Sequence, residues 1–131
     1  MSTVAALLSR VVRDQGRDAE ALEFSRIAEA ATTADDVDSQ ALWRSIRAPI
    51  IARAGQWAEA ESLARSAVEL AQQSDALQLQ ADTLSELASV LHLAGRIDEA
   101  RQTIDLAIAS YRAKGDVASL ARVTQWAAGL A

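Results

Sequence analysis

The sequence predicts an all-α protein, an α-solenoid of three antiparallel helical pairs followed by one C-terminal helix. Three observations lead there. Thirty of the 131 residues are alanine, against one proline, five glycines and five aromatic residues. That balance suits closely packed helices and lacks the β-branched residues and turn formers of a β-sandwich or barrel. One six-residue element occurs three times, as Gly16-Arg-Asp-Ala-Glu20-Ala21, Gly55-Gln-Trp-Ala-Glu59-Ala60 and Gly95-Arg-Ile-Asp-Glu99-Ala100, giving a period of about 40 residues. Between these marks the apolar residues recur at helical rather than strand spacing.

Helices are expected over residues 3–15, 17–33, 37–54, 57–73, 76–94, 97–114 and 117–130. In each repeat the glycine closes one helix, because its backbone accepts the left-handed conformation of a helix terminus. The glutamate four residues on falls in the first turn of the next helix, where its charge meets the positive end of the dipole. A second alanine follows seven residues after the first (Ala28, Ala67, Ala107), on the same helical face, and lets a neighbouring helix come close. Asp36, Asp75 and Asp116 then stand as N-cap candidates for the following helix. The fifth helix carries Leu77, Leu84, Leu87, Ala88 and Leu91 on one face and Asp82, Ser85, Glu86 and Ser89 on the other. The sixth repeats this with Ile97, Ala100, Ile104, Ala107, Ile108 and Tyr111. No linker interrupts the series, so residues 1–131 form one domain of repeats 3–33, 37–73 and 76–114 plus the last helix. A single pair cannot bury its apolar face, and stacking of pairs is the expected solution.

Charge and composition exclude several classes of function. Thirteen basic against eighteen acidic residues leave a formal charge of −5, without the basic footprint of a nucleic-acid binder. No apolar run is long enough to cross a bilayer, and Met1-Ser-Thr-Val does not open a secretory signal, so a cytoplasmic protein is expected. No cysteine and a single histidine, His92, leave no disulfide, thiol nucleophile or histidine-rich metal site. Twelve of the thirteen basic residues are arginine, a coding bias of GC-rich bacteria. Asp35-Asp36-Val37-Asp38 lacks the glycine and terminal glutamate of a calcium loop and reads as helix capping. There is no phosphate loop and no nucleophile elbow, so neither an enzyme nor a cofactor is expected.

The glycine, the Glu-Ala pair and the alanine seven residues later resemble the tetratricopeptide repeat. The resemblance spans nearly the whole chain, with Ser9, Ala48 and Ala88 in a further small-residue slot of the first helix of each pair. Two departures stand out: a period of about 40 rather than 34, and Arg44 and Arg47 in slots the family fills with apolar residues. A HEAT-like pair has a similar period but does not account for the Gly-x-x-x-Glu-Ala element. More loosely, residues 36–117 are similar to the C-terminal repeat regions of bacterial ATPase and nucleotide-cyclase-type regulators, through Leu42-Trp43-Arg44, Ala52-Arg53-Ala54-Gly55 and Leu91-His92-Leu93-Ala94-Gly95-Arg96.

The resemblance implies that the first helix of each pair lines a concave surface. Slot by slot it places Arg10, Arg13, Asp14, Ser45, Pro49, Ala52 and Arg53 there, opposite Asp82, Ser85, Glu86, Ser89 and His92. Such a groove suits an acidic peptide or a C-terminal carboxylate held by charge-assisted hydrogen bonds. The expected role is therefore a non-catalytic protein-binding scaffold, a docking arm of a bacterial signalling system. The alternative is a structural module, monomer or weak homodimer, self-associating through Leu120, Val123 and Trp126 of the last helix, an apolar face that no later residue covers and that otherwise closes the third pair. Trp43, Trp57 and Trp126 are expected as core or junction anchors, and Pro49 as a kink inside the third helix.

Overall fold

In the computed structural model, which describes residues 2–130, the chain forms seven α-helices and, among the described residues, no strand. They are α1 (Ser2–Asp14), α2 (Asp18–Ala31), α3 (Val37–Arg53), α4 (Trp57–Gln72), α5 (Leu77–Leu93), α6 (Ile97–Lys114) and α7 (Val117–Ala128). Helices α1 and α2, α3 and α4, and α5 and α6 pack as sequential pairs. The pairs stack in chain order: α3 lies between α1 and α5, α4 rests on α5, and α7 lies against α6.

The repeat element builds the corner of each pair. Gly16, Gly55 and Gly95 take φ of +79°, +89° and +81°, which lets the next amide turn back onto the helix just ended. Arg17, Gln56 and Arg96 thereby donate backbone hydrogen bonds to the carbonyls of Val12, Ile51 and Leu91 at 3.1, 3.0 and 2.9 Å. Each helix consequently stops before its glycine, one residue short of the boundary expected from pattern alone. The caps are less uniform. Asp36 and Asp116 accept from the amides of Ser39 and Ser119 at 3.1 and 3.0 Å. Asp75 does not cap: Ala76 holds the N-cap position, and Ser74 Oγ accepts from its amide instead.

All six repeat alanines, Ala21, Ala28, Ala60, Ala67, Ala100 and Ala107, are completely buried. A methyl side chain is all that fits where two helices approach so closely, and its burial costs no rotamer entropy. Larger residues fill the space between pairs. Trp43 and Ile46 share a cluster with Ala5, Ala6 and Ala28; Leu87, Val90 and Leu91 share one with Ala48, Ala52, Ala60 and Ala64. Arg44 and Arg47 are accommodated because both guanidinium groups stand over the Trp43 ring, at 4.5 and 4.4 Å. Arg47 also pairs with Glu29 at 2.9 Å and donates to Ser25 Oγ at 2.9 Å, tying α3 to α2.

Of the three tryptophans expected as anchors, Trp57 needs correction while Trp126 packs as one. Trp57, the first residue of α4, is 52% exposed and belongs to no core cluster among the described residues. Trp126, with Leu120 and Val123, does not form an outward apolar face. These residues pack with Ala81, Ala88, Ile104, Ala107 and Tyr111, and Val123 is only 1% exposed. The last helix closes the third pair because its apolar side matches the alanine-lined face that the pair leaves open.

Candidate peptide-binding groove

Helix α5 presents a polar row at helical spacing, Gln78, Asp82, Ser85, Glu86 and Ser89, on the side away from the alanines it packs with. Facing it, α1 contributes Arg10, Arg13 and Asp14, and α7 contributes Ser119, Arg122, Val123 and Trp126. Tyr111 reaches in from α6. Together they enclose an open cavity of about 610 Å³.

Asp82 is the centre of its hydrogen bonding. The Tyr111 hydroxyl donates to Asp82 Oδ1, as does Gln78 Nε2 at 3.4 Å, and Arg10 Nη2 stands 3.8 Å from Oδ2. Burial, with the neighbouring Asp82 carboxylate, raises the Tyr111 pKa, so the phenol keeps its proton and remains a donor. Arg122 Nη2 approaches the same phenol oxygen at 3.5 Å.

Arg13 has a different task. Its side chain is 9% exposed, and Nη1 donates to Glu86 Oε2 at 2.5 Å and to the Ile46 carbonyl at 3.2 Å. That carbonyl belongs to the turn of α3 ahead of Pro49, which has no amide proton and whose ring crowds the preceding turn. Arg13 thus joins α1, α3 and α5 through one guanidinium. Burial pushes the Glu86 carboxyl up from its ordinary value, against the pull of Arg13.

Of the twelve residues expected on the concave side, seven line the groove: Arg10, Arg13, Asp14, Asp82, Ser85, Glu86 and Ser89. Five do not, and of these Ser45, Pro49 and Ala52 are buried in the packing of α3. Arg53 forms a bidentate pair with Asp18 at the start of α2, both bonds at 2.8 Å, tying the end of α3 to the previous pair. His92 is exposed beyond the groove, edge-on to Trp126 with ring centroids 5.7 Å apart. The expected basic half is also altered: Arg10, Arg13 and Arg122 face Asp14, Asp82 and Glu86, three cations against three carboxylates. Trp126 and Val123, expected at an oligomer interface, belong to the wall of this groove instead.

Sequence reasoning missed Gln78, Tyr111, Ser119 and Arg122 as groove residues. Arg122 had a signal, since it stands one period of 40 residues after Asp82. Tyr111 had none, because its ring lies in the apolar register of α6 and only its hydroxyl emerges among polar groups.

No group of three or more His, Asp or Glu among the described residues is arranged to hold a metal ion. None of the described helices is long and apolar enough to cross a membrane. No family model matches the sequence, and no curated protein matches it.

Proposed function

We propose that this chain is a non-catalytic binding module of the tetratricopeptide type that docks an acidic segment of a partner protein in the groove between α1, α5 and α7. By resemblance of its repeat marks, it serves as a docking arm in a bacterial signalling system. The observation that carries the reading is the uneven commitment of the three groove arginines. Arg13 is consumed by Glu86 and the Ile46 carbonyl. Arg10 donates no hydrogen bond among the described residues and stands 3.8 Å from Asp82, beyond hydrogen-bonding distance. Arg122 makes one long contact, at 3.5 Å, and is exposed. Two guanidinium forks on opposite walls of one cavity keep donors for incoming carboxylates, and a bidentate fork is the side chain best shaped to take them. Trp126, half-buried on the same wall, offers an apolar surface for a neighbouring side chain of the segment.

Titration with acidic peptides, followed by intrinsic tryptophan fluorescence and by the anisotropy of a labelled peptide, tests the reading. Arg10→Glu and Arg122→Glu should each weaken binding about tenfold or more, because each removes a charge-assisted contact and adds a repelling charge. Arg53→Glu, outside the groove, should leave it unchanged. Affinity should fall with rising salt, since exposed charges are screened over roughly 10 Å at ordinary ionic strength. Equal binding by all three variants overturns the proposal.

A further inference from the structure

Outside the groove, α1 carries an apolar stripe that nothing among the described residues covers: Val4, Leu7, Leu8 and Val11 are 57%, 44%, 44% and 54% exposed. Their spacing of three, four and seven places them on one helical face. Isolated exposed aliphatics are ordinary, but four on one face of one helix form a patch of the kind that marks an interaction site.

The internal repeat shows what such a stripe touches. Moving by one period carries Val4 to Trp43, Thr83 and Val123, and Val11 to Ile50, Val90 and Leu130. Each of these six residues is buried, and in every odd-numbered helix that follows a pair, this register packs against that pair. In α3, Trp43 meets Ala5, Ala6 and Ala28, and Ile50 meets Val12 and Ala21. In α5, Val90 meets Ala48, Ala52, Ala60 and Ala64. In α7, Val123 and Leu130 meet Ala81, Ala88 and Ala107. The stripe on α1 is therefore the fourth instance of one junction surface, and among the described residues no helical pair covers it.

We propose that this stripe docks an antiparallel helical pair of a partner protein, a pair whose alanine-lined face lies open, so that the stack continues across the interface. A second copy of this chain is a poor occupant. Each of its own three alanine faces is already filled, by α3, α5 and α7 respectively, and docking would require one of these helices to leave. The partner is a helical-repeat end, and the site is independent of the groove.

A fusion supplies the probe. A second copy of residues 36–80 joined directly to Ser2 puts an α3–α4 pair ahead of α1 and gives α1 the register of α5. The chain has no cysteine, so Leu8→Cys introduces a single thiol whose alkylation rate reports exposure. Alkylation of that thiol should slow about tenfold or more in the fusion relative to the unfused protein, as protection follows burial in a closed junction. Adding Val11→Glu, at the place the buried Val90 holds in α5, should restore fast alkylation in the fusion while leaving the melting temperature of the unfused protein nearly unchanged. An equal rate in fused and unfused proteins overturns the proposal, whether the added pair folds elsewhere or does not fold. So does an unfused protein whose mass doubles with concentration and returns to monomer on Val11→Glu, because the occupant is then a second copy.

Discussion

Val4 and Val123 are the same residue at the same position of the repeat, three periods apart, yet one is 57% exposed and the other 1%. Helix α7 turns its apolar register onto the pair before it and closes the stack; α1 turns the same register to solvent. Both helices are short and amphipathic, so nothing intrinsic to either decides the outcome. What differs is the presence of a preceding alanine-lined face. In a stacked array each unit's stability is largely borrowed from its neighbour, and the two ends show the interaction with and without that neighbour.

The largest expected effect lies at the closed end. Val123→Ala should cost about 2–3 kcal/mol, from lost burial plus the cavity left between α5, α6 and α7, measured by denaturant titration. A cost below that of Val4→Ala would break the comparison. Next comes the seam that receives such residues. Ala100→Leu should overpack the fully buried contact of α6 with its neighbours and cost about 1–3 kcal/mol. Unchanged stability would mean that the alanine does not set the helix spacing.

A smaller effect is expected at the cap of α7. Hydrogen bonds from the Ser119 side chain and backbone hold the Asp116 carboxyl below the usual range. A lowered folded-state value stabilises above the ordinary aspartate pKa of about 3.9 and is lost as pH falls through the lowered one. The stability difference between the native protein and Asp116→Ala should accordingly be flat at neutral pH and shrink in acid. A difference that grows in acid would reverse the assignment. Val4→Ala should have the least effect, within about 0.5 kcal/mol, because its side chain is solvated in both folded and unfolded states.

The groove differs from both ends, being held by charge rather than by fit. Arg13 shows why a residue's place on a face does not give its role. Its position toward α5 follows from helical periodicity, but its burial under Glu86 and its bond to the Ile46 carbonyl depend on the spacing of α1, α3 and α5. Arg53 illustrates the opposite error. The repeat slot points to the concave side, and the side chain instead reaches back to Asp18, 35 residues earlier, because the end of α3 lies over the start of α2. Long flexible cations choose among carboxylates within reach, and reach is a tertiary quantity.

By itself the sequence determined the seven helices, the pairing, the alanine seams and the glycine corners. Each depends on interactions within a few residues or on a period repeated three times, and such information is local. It also placed Arg10, Asp82, Ser85, Glu86 and Ser89 on one side, since helical spacing orders a face without knowing what stands opposite. Only the tertiary structure decided that Tyr111 and Arg122 complete the groove, that the charges there cancel, and that the α7 face is spent inside the fold while the α1 stripe stays open. Those outcomes follow from distances between helices far apart in the chain, where a side chain's partner is fixed by the stacking of whole pairs and not by its own neighbours in sequence.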